Sequence, residues 1–305
     1  MFDPSSAFPL AGVLPVFQTP YRADESIDFE TLAREIEWLF DMGSDGVVMA
    51  MVSEVLRLSS EERDHLAKQV CHLAAGKGVS VISVGAESSH VAERHARQAE
   101  SYGASALMAI PPVSIGVDES ELAQYYRRLL EVVSIPVIVQ DASGYVGRPM
   151  SIAMQASLYH TYGDRVLFKP EATPIGPRLS ALRDATGGKA PVLEGTGGIA
   201  LVDSYRRGIV GTMPGADLID VLVALWRALA AGDEARIYEL SLPLSSLIAI
   251  QTSLDAFLAV EKYLLVKRGI FPNALVRGPV GYVLDAETRA EIDRLFVQLQ
   301  QKIGG

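Results

Sequence analysis

A closed (β/α)₈ barrel carrying a helical C-terminal region is the fold this α/β sequence predicts, on three observations. Across the first two-thirds of the 305 residues a short β-branched run, a turn and a longer stretch with helical spacing alternate. That alternation is the signature of βαβ units on a parallel sheet. It recurs eight times, which suits a closed barrel better than an open sheet. From Asp233 onward the strand signal stops and only helical stretches remain. The expected division is a catalytic barrel over residues 1–231 and a helical region over 232–305.

The strands are predicted at Gly12–Val16, Gly46–Met49, Val79–Val84, Ala106–Ile110, Val137–Gln140, Val166–Lys169, Val192–Glu194 and Gly211–Met213. Helical spacing follows each in turn, over Phe29–Phe40, Ser60–Ala75, His90–Tyr102, Glu119–Val133, Ile152–Tyr162, Gly176–Ala185, Ala200–Gly208 and Leu218–Ala231. Two starts carry their own signal. Leu58-Ser59-Ser60-Glu61-Glu62 and Asp118-Glu119-Ser120-Glu121 each offer an N-cap oxygen with acids in the first turn. Gly43, Gly76, Gly103 and Gly163 stand where helices end and a left-handed residue is wanted. Three further helices are predicted over Glu234–Gln251, Leu254–Arg268 and Ala286–Lys302, the last two separated by turn-rich Gly269–Asn273 and Arg277–Gly281.

Composition limits the function. Hydrophobic residues make up 49% and charged residues 21%, enough to bury a sizeable core. A formal net charge of −10 argues against nucleic acid and against an anionic membrane as partner. No basic segment precedes an apolar run at the start, and no stretch approaches the ~18 apolar residues of a membrane span, so the expectation is a cytoplasmic protein. A single cysteine, Cys71, rules out an internal disulfide and any multi-cysteine zinc site, and it reads as a buried small hydrophobe.

In a parallel barrel the active site forms at the carboxyl ends of the strands. That rule selects Ala50 to Glu54 after the second strand, Gln140 and Asp141 after the fifth, Lys169, Pro170 and Glu171 at the sixth, Glu194 to Gly198 after the seventh, and Gly211 to Gly215 after the eighth. Lys169 is the most informative, because apolar Val166-Leu167-Phe168 delivers an amine to the barrel rim. Desolvation there disfavours the ammonium and favours the neutral amine that attacks a ketone. A structural ion pair with Glu171 or Glu194 is the competing reading of the same position. Glu171, two residues on, points to the same side if the extended backbone continues, although Pro170 threatens to bend it. Glu194-Gly195-Thr196-Gly197-Gly198 and Gly211-Thr212 are weak glycine-rich motifs that admit substrate close to the backbone.

Taken together these segments resemble the dihydrodipicolinate synthase and N-acetylneuraminate lyase family, over nearly the whole chain. Thr19-Pro20-Tyr21 is similar to the family's Thr-Pro-Phe turn. Ala50 to Glu54, followed by Leu58-Ser59-Ser60-Glu61-Glu62-Arg63, occupies the place of its Gly-Thr-Thr-Gly-Glu loop and Leu-Ser-x-Glu-Glu-Arg helix start. Phe168-Lys169-Pro170-Glu171-Ala172 resembles its Schiff-base lysine segment. Departures are equally specific. The family's Tyr-Asn-x-Pro, whose tyrosine shuttles protons, is here Gln140-Asp141-Ala142-Ser143. Pro111-Pro112 is followed by Val113-Ser114 rather than by the synthases' inter-subunit tyrosine. The synthases' substrate-binding arginine falls at Tyr145, with Arg148 nearby. Ser53-Glu54, Val139-Gln140-Asp141-Ala142 and Lys169-x-Glu171 look instead like the 2-keto-3-deoxy-sugar-acid dehydratases of L-arabonate type.

The resemblance implies a lyase in which Lys169 forms a Schiff base with a small 2-keto acid and the imine serves as electron sink. Glu171 is the leading candidate for proton transfer. The substrate carboxylate is expected against backbone N–H groups near Val52 and Ser53, with the Ser53 hydroxyl assisting. Glu54, Gln140 and Asp141 are weaker candidates, with loop-holding as the alternative for Glu54 and amide packing for Gln140. Gly195, Thr196 and Met213 are expected along the substrate tail. No metal or organic cofactor is required. A homotetramer or dimer is implied. The competing functions are a pyruvate-dependent aldolase or condensing synthase, and a non-catalytic 2-keto-acid binding protein.

Overall fold

The computed structural model describes residues 9–145 and 147–303. Eight parallel strands alternate with eight helices: β1 (Gly12–Val13), α1 (Phe29–Asp41), β2 (Gly46–Met49), α2 (Ser60–Ala74), β3 (Val79–Ser83), α3 (Ser89–Ser101), β4 (Ala106–Ala109) and α4 (Glu119–Val132), then β5 (Val137–Asp141), α5 (Ile152–Tyr162), β6 (Val166–Pro170), α6 (Ile175–Ala185), β7 (Leu193–Glu194), α7 (Leu201–Arg206), β8 (Gly211–Thr212) and α8 (Ile219–Ala231). Strands β2 to β6 form one continuous ladder, and β1, β8 and β7 form another. Single parallel bridges, Val16 to Val48 and Phe168 to Val192, join the two ladders into a barrel. The (β/α)₈ expectation is therefore met.

β1, β7 and β8 are shorter than the sequence predicts. Proline is the reason: Pro15, Pro191 and Pro214 lack the N–H a ladder needs, and their carbonyls accept instead, as Pro15 O does from Val48 N at 2.9 Å. Alternation assigns the faces. Leu14, Val16, Val48, Val81, Met108, Ile138, Leu167 and Leu193 fill the barrel, whereas Val47, Val139 and Phe168 pack outward on the helices.

The predicted helix starts are built as caps. Ser59 accepts from Glu62 N at 3.2 Å while the Glu62 carboxylate accepts from Ser59 N at 2.9 Å, and Asp118 accepts from Glu121 N at 3.1 Å. Gly76 and Gly103 end α2 and α3 at φ of 75° and 87°, which a side chain would resist.

Beyond α8 lie α9 (Glu234–Ile248), α10 (Leu254–Lys267) and α11 (Ala286–Ile303). α9 and α11 pack on α8, whereas α10 crosses the barrel mouth and touches the 3₁₀ turn at Met51–Ser53. No helix among the described residues is long and apolar enough to cross a membrane.

Candidate active site

The side chain of Lys169 enters the barrel because Leu167, two residues earlier, points inward to the core. Parity carries Glu171 to the same face, and Pro170 does not interrupt it. Phe168 N donates toward β7, to Pro191 O at 3.1 Å, and Glu171 N donates toward β5, to Asp141 O at 2.9 Å. A nitrogen at 170 faces β7, beyond the last bridge to that strand, so no ladder bond is lost.

Lys169 and Glu171 are each 4% exposed. Lys169 Nζ lies 3.0 Å from Glu171 Oε1, and Gln140 Nε2 donates to Glu171 Oε2 at 2.7 Å. Burial raises the Glu171 carboxyl above the usual range; the Lys169 ammonium and the Gln140 amide oppose that shift, and Glu194 adds to it. Gly195 gives this pair its room. A Cβ there would stand 2.5 Å from Lys169 Cε and 2.7 Å from Glu171 Oε1.

These groups open onto a small cavity of about 40 Å³ at the carboxyl ends of the strands. Of the ten residues predicted to act on or bind substrate, Val52, Gln140, Lys169, Glu171, Gly195 and Met213 line it. The other four are committed elsewhere. Ser53 Oγ donates to Phe17 O at 2.7 Å and accepts from Ala50 N at 3.1 Å, and Ser53 N donates to Ala50 O at 3.0 Å. Both Ser53 groups expected to meet a substrate carboxylate are thus spent on the loop.

Glu54 is the partner of Lys262, whose Nζ also donates to Thr19 O at 2.8 Å and Leu275 O at 2.7 Å and lies 4.5 Å from the Tyr21 ring centroid. Its role is the loop-holding alternative: this fully buried pair ties the β2 loop to α10. Asp141 shares the outward face with Val139. Its carboxylate accepts from Ser143 Oγ at 2.6 Å, Met150 N at 3.0 Å and Arg178 Nη2 at 3.2 Å, away from the cavity. Thr196 closes a turn, with its N–H donating to Glu194 Oε1 at 2.5 Å, while Thr212 Oγ1 donates to Glu194 Oε2 at 2.8 Å.

Two polar lining residues were not selected by the strand-end rule. Tyr145 packs its ring edge-on against Phe257, with centroids 5.8 Å apart, and is present where the synthase arginine is expected; Arg148 is exposed. Burial, reinforced by Glu171, Glu194 and Glu261, pushes its hydroxyl above the usual phenol range. Glu261 arrives from α10. Its signal in the sequence is a Glu-Lys pair inside the apolar run Phe257-Leu258-Ala259-Val260-Glu261-Lys262-Tyr263-Leu264-Leu265, since charges in a buried helix face need a reason.

Residues 9–299 match the model of the dihydrodipicolinate synthetase family. The chain belongs to that family. It is 26% identical to an L-2-keto-3-deoxyarabonate dehydratase of Azospirillum brasilense over 292 residues, 92% of each protein. It is also 27% identical to a 4-hydroxy-tetrahydrodipicolinate synthase of Rhizobium meliloti over 289 residues, 92% of this chain and 96% of that protein. The crystal structure of dihydrodipicolinate synthase from Rhodopseudomonas palustris superposes with a TM-score of 0.86 at 26% identity, covering 95% of this chain and 97% of that one. Members of the family are lyases and aldolases, and this chain is an enzyme of that kind.

Proposed function

We propose that this lyase forms a Schiff base through Lys169 and dehydrates a 2-keto-3-deoxy sugar acid of the pentonate class. The observation that carries the reading is the buried Lys169–Glu171 pair, 3.0 Å apart and facing one cavity, with Gln140 in place of a tyrosine beside it. The similarity to the Azospirillum brasilense dehydratase supports the substrate class.

A carboxyl held above its usual range by burial is a competent acceptor for the ammonium proton of its neighbour. The neutral amine then adds to the C2 ketone, and Glu171 gives its proton to the departing oxygen, so that loss of water leaves a protonated imine and a Glu171 carboxylate. That imine draws electrons from C3. Glu171, two residues from the lysine on the same face, removes a C3 proton and gives an enamine. The enamine electrons expel the C4 hydroxyl, to which Glu171 returns the proton, so one water leaves. A proton shift from C5 to C3 turns the remaining alcohol into the enol of an aldehyde, and hydrolysis of the imine frees Lys169 and a keto-acid semialdehyde. The substrate carboxylate lies against the backbone at Val52, on the β2 side of the mouth opposite β6.

A pyruvate-dependent aldolase shares the imine and differs only in breaking the C3–C4 bond. Product analysis by NMR after incubation with 2-keto-3-deoxy-pentonate separates the two. Dehydration yields a keto-acid semialdehyde and no pyruvate; release of pyruvate with an aldehyde fragment would reject the dehydratase assignment. A binding protein would give neither.

A further inference from the structure

Five side chains bearing nitrogen or oxygen line the cavity: Gln140, Tyr145, Lys169, Glu171 and Glu261. In the reaction above Lys169 takes the ketone, Glu171 moves the proton and Gln140 holds Glu171. Tyr145 and Glu261 have no part in that chemistry. Glu261 is the more telling, because a helix outside the barrel carries a carboxyl across the mouth to place it there.

The carboxyl is seated by specific contacts. Gln18 Nε2 donates to Glu261 Oε2 in a short hydrogen bond, and Gln18 N donates to Glu35 Oε1 at 2.9 Å. Oε1 of Glu261 lies over Gly215, where a Cβ would stand 2.4 Å from it, so any side chain at 215 would push the carboxyl aside. The charged groups facing Glu261 are Asp217 from the loop before α8, Glu35 of α1 and Lys169 of β6. Burial, with Asp217 and Glu35 beside it, holds the Glu261 carboxyl well above the usual range; the Gln18 hydrogen bond and Lys169 oppose this without reversing it. Burial thus favours the protonated, uncharged form of Glu261. Such a group offers one donor and one acceptor, the complement of an alcohol, and it sets no like charge against an anionic substrate.

We propose that Glu261 hydrogen-bonds the hydroxyl-bearing chain of the bound 2-keto acid and so selects hydroxylated substrates over pyruvate. This rests on the dehydratase reading. With C2 fixed at Lys169 and Glu171 serving C3 and C4, the remaining hydroxylated carbons need a polar partner in an otherwise apolar wall. A site built around a substrate hydroxyl discriminates strongly against analogues without it, because its own buried polar group is then left unpaired.

The test uses the full chain and two measurements: kcat/KM for 2-keto-3-deoxy-pentonate, and the rate of borohydride-trapped labelling by pyruvate. The ratio of the first to the second is expected to fall roughly tenfold in Glu261→Met and in Gly215→Ala, and to stay within about threefold of the wild type in Glu261→Gln, which keeps a donor and an acceptor. Wild-type turnover with a ratio unmoved in both Glu261→Met and Gly215→Ala would overturn this inference alone, leaving Glu261 a packing group. A wild-type protein that neither turns over the sugar acid nor is labelled would overturn the dehydratase reading, and this inference with it.

Discussion

Asp217 offers the sharpest link between structure and a measurable free energy. Its carboxyl is 3% exposed, and Oδ2 has no hydrogen-bond partner. The nearby Arg268 gives its Nε to the Asp217 carbonyl oxygen at 2.6 Å and its Nη2 to Asp220 at 2.7 Å, so these donors go to groups other than the Asp217 carboxyl. Burial accordingly pushes the Asp217 carboxyl from 3.8 up to about 7, against the attraction of Arg268. Because the folded value lies above the unfolded one, the folded protein keeps a proton that the unfolded chain has already lost. Stability therefore falls as pH rises through that window and levels off above it. A shift of this size corresponds to roughly 4 kcal/mol of lost stability at pH 8, against roughly 1–2 kcal/mol at pH 5. Asp217→Asn removes the titration. Its urea-unfolding free energy relative to wild type is expected to improve by roughly 3 kcal/mol between pH 5 and pH 8. A difference between the two proteins that is the same at both pH values would refute the reasoning.

Three further outcomes follow from the same geometry. Glu171→Gln is expected to lower kcat by about 10²- to 10⁴-fold, the usual worth of a positioned acid–base group, while borohydride trapping of the keto acid persists at a reduced rate; steady-state and trapping assays together check this. Lys262→Met leaves the buried Glu54 carboxylate only the Arg277 N–H at 3.3 Å and the Arg57 guanidinium at 3.9 Å, and is expected to destabilise the fold by about 3 kcal/mol in urea, with much of that recovered in the double variant Glu54→Gln/Lys262→Met. Ser53→Ala removes two buried hydrogen bonds and is expected to reduce stability by about 1–3 kcal/mol, without the rise in KM that a substrate contact would bring.

The alternation of strands and helices made the barrel readable, and strand-face parity made much of the site readable with it. Leu167 inward puts Lys169 and Glu171 inward; Ile138 inward puts Gln140 inward. The same parity sends Asp141 outward with Val139, which selecting residues by strand end alone overlooks. Ser53 and Thr196 mislead differently. Each is in the right loop, yet small hydroxyls readily bond the backbone and side chains around them, and both are used to hold the turn that displays their neighbours. Glu54 was legible only as two alternatives, because its partner Lys262 lies on a helix far along the chain. Glu261 and Tyr145 reach the cavity through tertiary packing of α10 and the loop after β5, which local periodicity does not encode.

The central claim is that one lysine, Lys169, bonds covalently to the substrate ketone. Reduction with borohydride in the presence of 2-keto-3-deoxy-pentonate, followed by peptide mass mapping, tests it most directly. The account predicts a single adduct on the peptide containing Lys169 and none in Lys169→Ala. An adduct on Lys262, the other buried lysine at the mouth, or turnover that survives Lys169→Ala, would contradict it.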